Sequence, residues 1–563
     1  MKMNKIRTAI FLGCLSLMSS SSIAQYELSW KASINGVNHE DCRGMVESND
    51  HIYVVGRLEG TTTLNDSTTF QTASTNGGSD IFLYKLTKDG QFVWVKSMGG
   101  TLNEQGVNIT ADVNGNIYIC GFYESDFDID PGTGTTQLIC SGERDAFIAK
   151  FDPNGNLLWG NSFSGTLSEQ PEGIEITPSG ILISGRFEGT VDFDPGVGNL
   201  SLTSNGSNDI FAVKLDLNGD FLWANSYGDN ANDISWEISA DVNDNVFVIG
   251  TFKNTIDFNN GNPNGSYVSN GLADLFILKL DNLGNYLWST AIGGPGDDNA
   301  KDLAFDLNND LYISGFFKDT VNFDPTGTPT DILSSGGKDA YLMKLNTNGT
   351  LNWIETFGGT GDEIGKGIAF DLENNVYQVG TFQSSLTVSG NTYTSNGLRD
   401  CIIRQLDEQG TTIYSNVYGG AGEDYINGLI VDADTSFYFD GKFNDAMNID
   451  PIGTTMLPTE GDYDGYIFKW SHPTPSTVGM IDEQSKYIVA YPNPCDNMLN
   501  IVNIERYTAI EIIDLQGRSH GIFPVDENDS QITLETSHLS SGTYFIRLEG
   551  LNSIQHTITI QVK

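Results

Sequence analysis

Carboxylates at fixed intervals are the residues with the clearest chemical potential in this chain. Asp126, Asp128 and Asp130 form a D-x-D-x-D run, and Asp192 and Asp194 form a D-x-D pair. Related pairs stand at Asp257/Asn259, Asn322/Asp324 and Asn448/Asp450. In an extended strand alternate residues share a face, so each pair aims two oxygens in one direction. A hard cation takes six to eight oxygen ligands, and such pairs with nearby carbonyls suit Ca²⁺. Asp126, Asp128, Asp130, Asp192 and Asp194 are therefore candidate calcium ligands. The "DPG" runs at 130–132 and 194–196 have a second explanation that needs no metal, because Asp, Pro and Gly are turn formers.

A second series is stricter. An acid stands ten residues after each of seven aromatic landmarks: Glu40, Glu104, Glu169, Asp233, Asp298, Glu363 and Asp424 follow Trp30, Trp94, Trp159, Trp223, Trp288, Trp353 and Tyr414. One expectation is a ring of carboxylates at a channel mouth, attracting cations. The other is a repeated junction in which each carboxylate accepts backbone N–H groups. Sevenfold identity favours the junction, since catalysis needs an asymmetric constellation.

Nucleophile and base are harder to find. Of six histidines, His472, His520, His538 and His556 lie late in the chain, and only His39 and His51 lie early. No G-x-S-x-G stands on a strand-to-helix turn. Paired-carboxylate chemistry of the glycosidase kind stays open, but the acids are too many for one pair to be chosen. The cysteines show neither a zinc spacing nor a disulfide framework. Cys120 and Cys140 fall close together and could pair in an exported protein.

The elements that must position these residues repeat. An Asp opens a strand at Asp80, Asp145, Asp209, Asp274, Asp339, Asp400 and Asp464, at intervals of 61 to 65 residues. A glycine recurs inside another strand at Gly56, Gly121, Gly185, Gly250, Gly315, Gly380 and Gly441. Each unit reads as four short strands rich in β-branched and aromatic residues, separated by Gly/Asn/Asp turns. No amphipathic helical pattern intervenes, and glycine is abundant at 63 residues. The expected fold is all-β: a seven-bladed β-propeller with four-stranded blades, which suits units that leave few strand edges open. The repeats resemble the bacterial β-propeller repeat called SBBP, over roughly 26–470. Nothing after Asp464 supplies the Trp-bearing fourth strand of the last unit, whereas Trp30 stands in such a strand with no unit before it. The N-terminal strand is therefore expected to close the last blade. Trp236, unmatched in other units, and the shortened sixth unit are the most irregular points.

Residues 1–24 read as a secretory signal, with Lys2, Lys5 and Arg7 ahead of a short apolar run. That run is too short to span a membrane, and no transmembrane segment is expected after cleavage. A net charge of −44 argues against binding nucleic acid or an anionic membrane through charge. After the propeller (25–472) and a Pro/Ser/Thr-rich linker (473–486), alternating runs at 487–563 predict a small β-sandwich. This last module resembles the type A C-terminal sorting domain of type IX secretion in Bacteroidota. The resemblance rests on Tyr491, Pro492, Asn493 and Pro494, on the "DLQG" turn from Asp514 to Gly517, and on "LSSGTYFIRL" with Gly542. It implies export through the type IX secretion machinery, with the product secreted or attached to the outer cell surface. The expected function is a binding or adhesion protein for an extracellular glycan or protein. The alternative is a carbohydrate-active enzyme, a glycoside hydrolase or lyase, using acids at the channel mouth.

Overall fold

A computed structural model describes residues 26–65, 70–259, 261–324, 327–472, 489–491, 498–502, 507–514, 518–525, 531–550 and 555–562. The signal segment, the linker, Pro492, Asn493, Pro494 and Gly517 lie outside the described residues. The chain divides into two compact units, 1–474 and 475–563.

The first unit is an all-β fold of the β-propeller kind, in which antiparallel pairing recurs in seven four-strand sets, called sheets below, some of them joined to further strands. In the second sheet Glu104–Ala111, Ile117–Tyr123, Asp145–Phe151 and Leu157–Phe163 pair in that order. The first strands of the seven sheets are Asp41–Ser48, Glu104–Ala111, Glu169–Thr177, Ile234–Ala240, Asn299–Phe305, Ile364–Phe370 and Asp424–Val431. Each touches the next, and the seventh touches the first, so the first strands form a closed ring. Buried Val, Ile, Leu, Phe and Tyr of the middle strands fill the space between sheets, as in Tyr53, Val55, Leu83, Ile117, Ile119 and Phe147.

The repeated Trp has a packing role. It pairs across the sheet with a third-strand Lys, as in Lys85↔Trp94 and Lys279↔Trp288. Its ring lies on the turn glycine of the next unit, Gly155 for Trp94 and Gly284 for Trp223. Three indoles also donate to that turn, Trp223 Nε1 to Asn282 O at 3.1 Å, Trp288 to Thr347 O at 3.3 Å and Trp353 to Glu408 O at 3.0 Å.

Trp30 completes the series from the opposite end of the propeller. The strand Glu27–Gly36 pairs antiparallel with Asp464–Ser471, and Trp30 sits opposite Lys469 in the register the other units use. Its ring packs on Gly90 of the first unit, and its Nε1 donates to Lys88 O at 2.8 Å. The last sheet is thus assembled from both ends of the domain, and two strand edges that would otherwise be open are paired.

One irregularity recurs in all seven first strands. The register slips between Cys42 and Gly44, Gly106 and Asn108, Pro171 and Gly173, Ser235 and Glu237, Ala300 and Asp302, Gly365 and Ile368, and Ile426 and Gly428. A β-bulge leaves its extra residue out of the ladder and re-aims it. The residue opposite each slip is the recurrent glycine. A Cβ on Gly250 would stand 2.0 Å from Ile234 O, and on Gly121 2.0 Å from Gln105 O. Only glycine allows that approach.

The C-terminal unit has a three-stranded sheet (489–491, 498–502, 531–535) and a four-stranded one in the order 519–524, 507–514, 542–550, 555–562. Leu499, Ile501, Ile510, Ile512, Leu534, Ile546 and Ile560 form its core. Tyr491 ends its first strand and Gly542 opens the strand 542–550. Asp514 accepts the Arg518 backbone N–H at 2.9 Å and Arg518 Nε at 2.8 Å.

Trp30→Ala removes a nearly buried indole from the closing strand. It is expected to cost about 3–5 kcal/mol in denaturant unfolding, the range for a buried Trp. A midpoint equal to that of the parent would contradict the role given to the N-terminal strand.

Candidate functional site in the central channel

The seven repeated acids do not face a channel mouth. Glu40, Glu104, Glu169, Asp233, Asp298, Glu363 and Asp424 are fully buried. Six of them accept the backbone N–H four residues earlier: Glu104 from Gly100 at 2.7 Å, Glu169 from Gly165 at 3.2 Å, Asp233 from Asp229 at 3.0 Å, Asp298 from Gly294 at 2.7 Å, Glu363 from Gly359 at 2.7 Å and Asp424 from Gly420 at 2.6 Å. Glu40 instead accepts Thr62 Oγ1 at 3.0 Å. Their own N–H groups reach back to the preceding sheet, as in Glu169 N to Arg144 O at 2.8 Å. These carboxylates fasten one sheet to the next. Burial, and then the charge of Asp145, push the Glu169 carboxyl up to about 9. Burial likewise raises Asp424 to about 8 and Glu363 to about 7.

The D-x-D residues are likewise occupied by local backbone. The strand Phe127–Asp128 ends at Asp128, so Asp128 and Asp130 do not share a strand face. Asp128 Oδ1 accepts Asp130 N at 3.1 Å and Thr136 N at 2.8 Å, Asp130 Oδ1 accepts Gly132 N at 2.8 Å, and Asp126 Oδ1 accepts Cys140 N at 2.8 Å. Asp192 and Asp194 repeat the pattern, accepting Leu200 N and Gly196 N, each at 2.8 Å. Among the described residues no three His, Cys, Asp or Glu side chains stand together as a metal-holding group. Cys120 and Cys140 are free thiols; Cys120 is buried inside its sheet.

What the units do bring together is the set of bulged residues. Three positions past each repeated acid stand Arg43, Val107, Glu172, Trp236, Lys301, Lys366 and Asn427. With their neighbours Asn108, Glu237, Asp302 and Ile368 they line one open cavity of about 290 Å³, ringed by the first strands of all seven sheets. Lys301 Nζ lies 3.2 Å from the centroid of the Trp236 ring. Burial, and then the nearby Arg43, bring the Lys366 ammonium down to about 8. Burial pushes Asp302 up to about 7; burial and then the Asp302 charge raise Glu237.

Of this site, only Trp236 stands out in sequence. The others are ordinary residue types, and the signal that finds them is contrast: one register position carries seven side chains of six kinds while its flanking acid and glycine positions repeat.

Residues 489–563 match the secretion system C-terminal sorting domain. This domain belongs to type IX secretion, and the protein is secreted or attached to the outer cell surface. Over 535 residues the chain is 23% identical to an uncharacterized WD repeat-containing protein of Acanthamoeba polyphaga mimivirus, covering 80% of this chain and 36% of that one. It is 27% identical over 197 residues to the regulatory protein FlaEY of Caulobacter vibrioides, covering 35% and 20%. The chain thus spans about a third or less of the curated relatives it matches. Among solved structures it is similar to the extracellular domain of BT4673 from B. thetaiotaomicron, at 11% identity and a TM-score of 0.17, covering 93% and 86% of the two chains. Among the described residues no helix is long and apolar enough to cross a membrane.

The buried junction acids set a pH dependence. Their carboxyls hold a proton in the folded chain at pH values where the unfolded chain, titrating near 4–4.5, has lost it. Their contribution is complete below about pH 4 and is lost as pH rises through about 7 to 9. The melting temperature is expected to be higher near pH 5 than at pH 9, and Glu169→Gln is expected to reduce the difference. A melting temperature that rises from pH 5 to pH 9 would contradict the junction role.

Proposed function

We propose that this is an exported binding protein whose ligand sits in the channel cavity on the ring axis. The observation that supports it is the contrast described above: the units keep their junction acids, glycines and indoles, and differ at the position that faces the axis. A scaffold needs no such variety, whereas a ligand without sevenfold symmetry does. The ligand is an extracellular glycan or other polar molecule of about one sugar unit, since about 290 Å³ is at the small end of ligand cavities. We also propose that the repeats are of the SBBP kind; ligand binding in the channel requires neither that nor bound calcium.

One feature favours a second reading. Glu237 and Asp302 are neighbouring carboxyls raised by burial, the condition in which one acts as acid and the other as base. That reading is a glycoside hydrolase or lyase, and it requires Glu237→Gln to abolish turnover while ligand binding persists.

The chain has eight Trp, so the channel indole is isolated by difference. A glycan panel is expected to contain a ligand that changes the Trp emission of the parent and leaves that of Trp236→Phe unchanged. Every ligand acting equally on both proteins would place binding elsewhere.

Export supplies a separate test. Residues 1–24 act as the inner-membrane signal and 487–563 as the outer-membrane address. Deleting 487–563 is expected to leave a folded propeller that stays inside the cell. Normal levels of the truncated protein in the medium would contradict this.

A further inference from the structure

Resting on that reading, we propose that the channel cavity recognises the acid group of an acidic sugar, holding it between Lys301 and Lys366. The lysines of the third strands each have a polar partner: Lys85 Nζ donates to Pro153 O at 2.9 Å, and Lys214 lies 3.3 Å from Asp244. Lys279, Lys344 and Lys469 are each held against a carboxylate, Asp241 at 3.2 Å, Asp306 at 3.0 Å and Asp432 at 3.4 Å. This is the general rule for enclosed charges, which are costly unless paired.

Lys301 and Lys366 break the rule. Among the described residues neither ammonium has a carboxylate within ion-pair distance, although the chain carries 73 acidic side chains against 29 basic ones. Three acids line the same cavity and are engaged elsewhere. Glu172 accepts Gln170 Nε2 at 2.9 Å and lies 3.6 Å from Arg186. Asp302 Oδ2 accepts Ile368 N at 2.6 Å. Glu237 Oε1 accepts Ile238 N at 3.0 Å, and its other oxygen faces Asn108. The two lysines come from adjacent sheets, and Arg43 adds a third cation to the cavity lining. Two neighbouring lysines without a carboxylate partner, one of them lying over the Trp236 ring, are a site for an anion.

The rest of the lining supports a polyol carrying that anion. Trp236 Nε1–H is buried without a partner, a donor still to be used. Asn108, Glu237 and Asp302 make the rest of the lining polar, as suits a ligand bearing hydroxyls. The acid group of the ligand is a carboxylate, as in a uronic acid, or a phosphate ester; both satisfy the same two lysines.

The test titrates D-glucuronate, D-glucose 6-phosphate and D-glucose into the full chain, following Trp emission in the parent and in Trp236→Phe at low and high NaCl. At least one acidic sugar is expected to bind about tenfold or more tightly than glucose, a difference of about 1.4 kcal/mol. Its binding should weaken with salt. The tighter of the two identifies carboxylate or phosphate as the source. Lys366→Gln is expected to lose about tenfold in affinity without a fall in melting temperature, because it removes an unpaired enclosed charge; Lys366→Arg should retain binding. Equal binding of glucose would overturn the acid-group inference and leave the channel as a binding site. Acidic sugars acting alike on the parent and Trp236→Phe, or unaffected by Lys366→Gln, would place them outside the cavity and overturn it. So would no response to either acidic sugar.

Discussion

Each second strand places a glycine against a backbone carbonyl of its first strand, and the rest of the channel depends on that approach. In all seven units a Cβ at this glycine would stand between 1.9 and 2.4 Å from the oxygen. The first strand therefore comes closer than a ladder with side chains on both sides permits, and it bulges. The bulge ejects one residue from the pairing, and because the first strands form the inner ring, the ejected residues converge on one cavity. Seven copies of a backbone constraint thus build a ring of seven independently variable side chains. The scaffold can stay constant while the site changes.

This arrangement separates the charges by role. Most of the large negative excess is outside the channel or neutralised in place. The junction acids hold protons or backbone N–H groups, and the Asp and Asn of hairpin turns bind their own loops, as Asp112 does with the N–H groups of Asn114 and Asn116, both at 2.9 Å. Third-strand lysines are spent on turn carbonyls and carboxylates, for example Lys85 Nζ to Pro153 O at 2.9 Å. The unpaired cations of the channel are exceptional within this economy of pairing, so they report on what enters the cavity more than on what holds the ring.

Much of the fold is legible in the sequence, because a repeated residue reports a repeated contact. The Trp spacing shows that Trp30 belongs to the last sheet, and strand pairing with Asp464–Ser471 bears this out. The sorting domain is legible from short motifs at 489–563. The site is not legible in the same way. Spacing reveals that Glu169 and its equivalents repeat, but it carries no information on whether a carboxylate faces solvent or a backbone N–H. The D-x-D runs mislead for a related reason: alternation implies a shared face only while the strand continues, and here it ends at Asp128 and Asp192. Arg43, Glu172, Lys301 and Lys366 have no motif at all. Their common position emerges only when the units are laid in register and the odd column is sought.

The closing strand adds a consequence for how the site is maintained. Arg43 follows the strand that pairs with the last sheet, whereas Asn427 lies in that last sheet, and the two meet across the seam. Asn427 Nδ2 donates to Cys42 O at 2.6 Å and to Asp41 Oδ1 at 3.2 Å. Asp41 in turn is within 3.6 Å of Arg43 and 3.3 Å of Lys442. The cavity wall is therefore continuous only when the ring is closed, and its basic side straddles the place where the first and last strands of the propeller meet. Pairing of Glu27–Gly36 with Asp464–Ser471 is thus a condition for the site as well as for the fold, since loosening that seam would separate Arg43 from the lysines across it.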